Sequence, residues 1–443
     1  MSETKKVKQL FTVGRIFFLL IVIPLSLMAL LIANGIFKVG ETTRQRATAA
    51  LDEKSQNEIR VRAINTAEDV AKFLGERRND LMIATIIPAT DSAYNEFISK
   101  KKSYIWIREA KKVRKVLVPL YTEMSLIDRT GEELIKITNG KIVPKSKLTN
   151  VSNPANTTYK SEDYFVKTRN LKKGEAYISH VTGWYVDRSD FEKGKRFTGI
   201  IRMATPLFDE KGFAGIIVLA LDARHLAEFT DHIVPTQSEY VVEADASTGN
   251  YAYMVDNRGF IISHPNDYHI IGLHSNGRPA MPLTEKTATA LTEKGEEVLN
   301  LNLLGFIDRG MPEIAKDAAA GNSGIKTYKF KNNIKFVAYA PIKFYAESYP
   351  KPGGFGWIGM GVNVDKFNTL ARAYSENVEK EVKSWTTTIA MIIVISVILL
   401  FLITAILVRG ISRSIEAEVP EGAESVNDYY EDEDEEEEKE EEK

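Results

Sequence analysis

Histidines with carboxylates, and closely spaced glycines, are the residues here whose types and spacing could do chemistry. The stretch "HPNDYHIIGLH" places His264, His269 and His274 beside Asp267. Imidazole and carboxylate are donors that a transition metal accepts. A helix would aim two histidines at one ion from i and i+4, but Pro265 and Gly272 interrupt any helix here. The expectation is turn and surface histidines, with metal sensing as the sharper alternative. The stretch "GFGWIG" at 354–359 fits G-x-G-x-x-G. A dinucleotide site needs that loop between a strand and a helix N-terminus, whereas an internal repeat described below makes Gly356 onward a strand. No G-x-S-x-G elbow or P-loop occurs, and there is no cysteine. That excludes thiol catalysis, cysteine-based metal sites and c-type haem attachment. No catalytic residue, metal or cofactor is expected, and the chain does not read as an enzyme.

The elements that must hold these residues begin with two apolar runs. Residues 16–37 and 385–408 are 22 and 24 residues without a charge. At 1.5 Å per residue each is long enough for a hydrocarbon core of about 30 Å. The first run is too long for a cleaved signal peptide and no clear small-residue cleavage site follows it. Lys5, Lys6, Lys8 and Arg15 precede the first run, and Arg409 and Arg413 follow the second. The positive-inside rule then puts both ends in the cytoplasm and residues 38–384 outside it. The expected location is a prokaryotic (inner) cell membrane, with a periplasmic or extracellular middle. From Glu416 to the end there are 16 acidic and 2 basic residues, against 44 acidic and 56 basic elsewhere. Such a self-repelling tail buries nothing and reads as disordered. It is either a solubilising end or a lure for a basic cytoplasmic partner.

Between the spans, residues 41–81 read as a long stalk helix, with Ala63, Ala67, Val70, Leu74 and Leu81 on one face. That face is expected to pack on the sheet domains or on a second chain. Residues 94–117 read as a basic amphipathic surface helix, from Lys100, Lys101, Lys102, Lys111, Lys112, Arg114 and Lys115 with Tyr104, Trp106 and Val113 between them. Nucleic-acid binding is not expected outside the cytoplasm. "MSLIDRTGEELIKI" reads as a hairpin turning at Asp128–Gly131. "RFTGIIRMATPLF" and "FAGIIVLALD" read as two further antiparallel strands, and "DARHLAEF" as a helix with an Asp cap.

These elements recur. "MVDNRG" repeats the pattern of "LIDRTG", "AYAPIKF" echoes "MATPLF", and "GWIGMGVNVDKF" echoes "GIIVLALDARHL". Three matches in the same order predict two copies of one α+β module. The second copy leads into a helix bearing Phe367, Leu370, Ala371, Tyr374, Val378 and Val382 on one face, with no Gly or Pro before Trp385. Movement in the module would then appear in the span.

The plan resembles the double Cache (dCache) family, the tandem PAS-like extracytoplasmic sensors of prokaryotic chemoreceptors, histidine kinases and diguanylate cyclases. The resemblance covers residues 39–386. It is carried by "SEDYFVKTRNLKKGEAYISHV", "IRMATPLFDEKGFAGIIVLALDARHL" and "YMVDNRGFIISHP". It implies an α+β fold: a long N-terminal helix and two tandem antiparallel-sheet modules, flanked by transmembrane helices. The expected divisions are 1–15 cytoplasmic, 16–37 span, 38–88 stalk, 89–235 membrane-distal module, 236–384 membrane-proximal module with exit helix, 385–408 span and 409–443 cytoplasmic.

The resemblance also implies a small-molecule site in the distal module. Tyr164 and Phe165 match the family's aromatic pair, Tyr177 a following tyrosine, and Asp222 a strand-end acid that contacts an amino group. Glu162 stands where amino-acid binders place an arginine. A carboxylate there would repel a ligand carboxylate that an arginine would clasp. The expected ligand is therefore an organic acid held by Arg202 instead, or an amine. Three second readings stay open: Tyr164 and Phe165 as core, Asp222 as a helix cap, and Arg202 as partner of a neighbouring acid. "VRGISRSIEAE" resembles the first turn of a HAMP relay, but Pro420 and Gly422 follow and no kinase, cyclase or methyl-accepting segment does. The expected function is a membrane-anchored sensor that signals through the second span to a cytoplasmic or membrane partner, with a homodimer as one arrangement. The alternatives are a docking protein without a sensed ligand, or a receptor fragment lacking its output domain.

Overall fold

The computed structural model of the chain describes residues 3–109, 112–330, 333–364 and 369–418. The acidic tail beyond 418 and Phe367 of the expected exit helix lie outside them. The chain divides into two compact units, residues 51–370 and the two terminal stretches 1–50 with 371–443.

In the larger unit, helix α1 (Glu3–Ala84) ends and α2 (Asp91–Lys100) starts, capped by the Thr90 hydroxyl, which accepts the Ala93 N–H at 3.2 Å. The stalk face predicted from the sequence is buried. Ala63, Ala67, Val70, Leu74 and Leu81 join the main core with Ile59 and Ala84, so this face packs against its own chain. Each Val, Leu or Ile so buried contributes about 1.5–3 kcal/mol. Asp80 pins the helix to the sheet. It accepts hydrogen bonds from Arg77 (3.1 Å), Lys101 (2.7 Å) and the Tyr121 hydroxyl (2.7 Å).

The expected helix over 94–117 is corrected. It stops at Lys100, and a hairpin follows, β1 (Lys102–Glu109) and β2 (Lys112–Pro119), paired from Lys102↔Pro119 to Glu109↔Lys112. Tyr104, Ile105, Trp106, Ile107, Val113, Val116 and Val118 are aromatic or β-branched residues that favour the pleated sheet. The hairpin is also tied down by a tertiary contact: the Trp106 N–H donates to Glu228 at 2.8 Å.

The first sheet takes β3 (Tyr121–Asp128), β4 (Glu133–Thr138), β5 (Lys141–Ile142), β6 (Tyr177–Ile178), β7 (Thr182–Gly183), β8 (Gly199–Asp209) and β9 (Gly212–Asp222). Its order is β5-β4-β3-β9-β8-β6, with β7 also paired to β8. Short helices α3 (Tyr164–Arg169), α4 (Arg188–Glu192) and α5 (Arg224–Ala227) fill the connections. The second sheet takes β10 (Tyr251–Asp256), β11 (Ile261–Ser263), β12 (Gly324–Phe330), β13 (Asn333–Ile342) and β14 (Gly356–Asn363), in the order β11-β10-β14-β13-β12. Helices α6 (Ala288–Glu293) and α7 (Gly310–Ala319) interrupt its chain path.

The two sheets have the same topology at their centre, β4-β3-β9-β8 against β11-β10-β14-β13. The repeated Asp-x-x-Gly turns are chemically alike. Asp128 accepts the N–H groups of Thr130 and Glu132, and Asp256 those of Arg258 and Phe260, all at 2.7–3.0 Å. Gly131 and Gly259 take φ of 96° and 91° there. Opposite the two aspartates, Gly215 and Gly356 adopt φ of 153° and 151°. A Cβ on either would meet a backbone oxygen, Ile127 O at 2.2 Å or Val255 O at 2.0 Å, so only glycine fits. The "GFGWIG" stretch thus enters a strand, as the repeat required.

Both faces of the first sheet are covered. Met124, Ile201, Met203, Leu219 and Leu221 join the α1 core, while Ile127, Ala204, Ile216 and Val218 join a second cluster with Tyr164, Phe165 and Tyr177. Tyr349 donates to Ser179 O at 2.7 Å and Tyr185 to Tyr268 O at 3.0 Å, linking the segments of the two sheets.

In the smaller unit, among the described residues, two helices are long and apolar enough to cross a membrane, over Leu19–Arg46 and Glu376–Leu407. They belong to α1 and to α8 (Thr369–Glu418). Gly40 lets them approach: a Cβ there would lie 2.8 Å from Val382. Arg44 and Glu379 face each other at 3.7 Å.

Candidate functional site

Strand alternation puts Glu123, Ser125 and Ile127 of β3 on the face that also carries Arg202 and Ala204 of β8 and Val218, Ala220 and Asp222 of β9. On this face lies a cavity of ≈ 410 Å³, whose lining includes Glu123, Lys136, Tyr159, Arg202 and Asp222.

Arg202 is its centre, 1% exposed. Its Nε donates to Glu162 at 2.7 Å, Nη1 to Glu123, and Nη2 to Thr158 Oγ1 at 3.2 Å and Glu162 at 3.4 Å. The Tyr164 ring lies beneath, its centroid 5.1 Å from the guanidinium carbon. Burial alone would lower the Arg202 pKa, but the carboxylates of Glu123 and Glu162 outweigh it and hold the group well above its ordinary value. Burial pushes Glu123 up, and Arg202 and Lys136 together more than reverse this. Lys136 lies 3.7 Å from Glu123 and 2.7 Å from Glu133. Two cations thus share three buried carboxylates, and the network carries one net negative charge.

The residues singled out in the sequence are brought together in part. Arg202 and Asp222 line the cavity, and Glu162 reaches it through Arg202. Tyr164, Phe165 and Tyr177 lie beside it in the apolar cluster. The Tyr177 hydroxyl donates to Asp163 at 3.0 Å. Asp222 accepts the Arg224 N–H at 3.0 Å and is clasped by the Arg224 guanidinium at 2.6–3.1 Å. The residue before α5 is Ala223, so Asp222 serves that turn from one position further back than an N-cap. Sequence reasoning missed Glu123, Lys136, Thr158 and Tyr159. Glu123 had a signal: with Ser125 it is a polar residue on a strand face that ends in Ile127.

The histidines separate. His264 and His269 have ring centroids 4.8 Å apart, while His274 lies against Tyr185 at 6.0 Å. Among the described residues no group of three or more His, Asp or Glu side chains is placed to hold a metal.

Two PAS-like antiparallel sheets behind one long helix, with a polar cavity on the first, define a tandem sensory-domain architecture. The family model for the Cache domain, of the dCache type, matches residues 43–373, and the chain belongs to that family. No curated protein matches it. Among solved structures it is similar to the ligand-binding domain of the Pseudomonas fluorescens chemoreceptor CtaA in complex with L-leucine (14% identity, TM-score 0.40, covering 72% of this chain and 100% of that one). It is similar also to the ligand-binding domain of the Pseudomonas aeruginosa amino-acid chemoreceptor PctC in complex with GABA (12%, 0.38, 67% and 95%). A third is the sensory domain of the Campylobacter jejuni chemoreceptor Tlp3 (10%, 0.39, 74% and 100%).

Proposed function

We propose that the chain is a membrane-anchored sensor that binds a small amine in the distal cavity and passes the signal through its second membrane helix to a partner. Membership of the Cache family supports sensing. The observation that carries the choice of ligand is the closed clasp of Glu123 and Glu162 on Arg202. A ligand carboxylate would have to displace one of them, whereas an ammonium meets the carboxylates of Glu123 and Asp222 and the Tyr159 ring on the lining. Asp222 and Tyr164 position the cavity, with Phe165 and Tyr177 as its apolar backing. On this reading the modules are 89–235 and 236–384, residues 38–384 lie outside the cytoplasm, and both termini lie inside. Two chains pair through the helices next to the membrane. A ligand shifts such an equilibrium by its differential affinity, about 1.4 kcal/mol per tenfold.

The test is calorimetric titration of the full chain in lipid nanodiscs with a panel of amines and a matched panel of carboxylates. An amine is expected to bind, and Glu162→Gln to weaken it at least tenfold. A response to carboxylates alone would overturn the ligand class, and no response to either would overturn sensing. Spin labels on the two membrane helices should report a ligand-dependent distance change that two glycines inserted after Lys383 abolish.

A further inference from the structure

The second sheet has a cavity of its own, also ≈ 410 Å³, on the face equivalent to the distal one. Its lining includes Tyr251, Tyr253, His264, Tyr268, His269 and Lys335. Counting back from the shared aspartate, Tyr251 and Tyr253 occupy the positions of Glu123 and Ser125. On β14, Gly359 and Gly361 replace Val218 and Ala220. Gly359 gives a ring room: a Cβ there would lie 2.3 Å from Tyr253 Cζ. The rings stack edge to face, Tyr251 on His264 at 4.8 Å and Tyr268 on His269 at 4.5 Å.

Lys335, 5% exposed, takes the place of Ile200 and pairs with Asn363 as Ile200 pairs with Asp222. Its ammonium lies 4.8 Å from the centre of the Tyr251 ring and 3.4 Å from that hydroxyl. His264 Nδ1 accepts the Asn266 N–H at 2.9 Å, so the neutral ring carries its proton on Nε2 as a donor. Burial, then His269 and Lys335, hold the His264 pKa well below its ordinary value, keeping the ring neutral. Among the described residues of the lining the carboxylate is Asp245, which is exposed at the rim and accepts the Ser247 N–H and hydroxyl, both at 2.8 Å.

We propose that this proximal cavity is a second ligand site, taking a small aromatic carboxylate whose anion meets Lys335 and whose ring packs among the tyrosines and histidines. An ammonium and a tyrosine hydroxyl supply an anion's donors, and the edge-to-face rings suit a flat aromatic body. The inference stands apart from the distal amine reading, because it rests on different residues in the other sheet.

The test titrates the full chain in nanodiscs with benzoate and phenylacetate, and with benzyl alcohol and acetate as controls. Saturable binding of an aromatic acid is expected, and Lys335→Met should weaken it at least tenfold. Tyr251→Phe, which keeps the ring and removes the hydroxyl, should weaken it severalfold and serves if Lys335→Met fails to fold. Glu162→Gln, in the distal site, should leave it unchanged. No saturable binding of either acid, equal binding of acetate or benzyl alcohol in their place, indifference to both proximal variants, or loss in Glu162→Gln would each overturn the proposal.

Discussion

The two sheets share a backbone and differ in what they enclose. Both have the same central strand order, the same Asp-x-x-Gly turn and a glycine at φ near 150° opposite the turn aspartate. At matched positions on the cavity face, Glu123 becomes Tyr251, Arg202 becomes Val337, Ile200 becomes Lys335 and Asp222 becomes Asn363. One cavity is lined by a closed network of buried ion pairs, and the other by aromatic rings around the buried Lys335 ammonium. The difference teaches that the turn and its glycine are demanded by backbone geometry, which both copies must satisfy. The cavity face answers only to local charge balance and volume, so the copies diverge there.

The largest effect expected is at Arg202. Arg202→Met leaves Glu123 and Glu162 buried without their partner and should cost about 3–5 kcal/mol in chemical denaturation. Val337→Met at the matched position adds volume alone and should cost about 1–3 kcal/mol. Equal losses would break the contrast. Next, Gly215→Ala and Gly356→Ala should each cost about 3 kcal/mol or more, through the clash with a carbonyl oxygen and the forced φ. Tolerance at one site only would show that the shared backbone constraint is not shared.

A smaller, pH-dependent effect is expected where the two sheets' segments meet. Asp267 accepts the Phe197 N–H, and burial raises its pKa from 3.8 to about 7. Because the folded pKa is raised, this carboxyl's contribution to stability is full below pH ~4 and is lost as pH rises through ~7. Asp267→Asn should therefore raise Tm by a few degrees at pH 8 and leave it unchanged at pH 4. A pH-independent difference would count against a buried, titrating carboxyl there. The smallest effect is at the first turn, where Arg129 and Asp209 pair at 3.2 Å while about half exposed. Arg129→Ala should change stability by about 0–1 kcal/mol, which separates the turn's backbone requirement from its surface charge.

Much of the architecture was legible because its signals are local. Asp128 and Gly131, then Asp256 and Gly259, mark turns by residue type alone. The buried face of α1 follows from helical spacing, and the two apolar runs from length and composition. Residues 102–117 were misread because their positive charges suit a helix surface. Their aromatic and β-branched residues had to be weighed against that, and the Glu228 contact that helps hold the hairpin lies 122 residues from Trp106. The candidate site was half legible: a family resemblance pointed to Glu162, Arg202 and Asp222, and the polar alternation of Glu123 and Ser125 was a weak signal, but nothing in sequence ties Glu123 or Lys136 to Arg202.

The amino-acid sequence by itself determined the duplication, the turns, the stalk face and the two membrane-length helices, since each depends on neighbours within one or two turns or strands. Only the tertiary structure decided where the charges close. Arg202 meets Glu123 across 79 residues of chain and Glu162 across 40, and Lys335 meets Tyr251 across 84. Burial makes those pairings strong, and burial is a property of the folded chain.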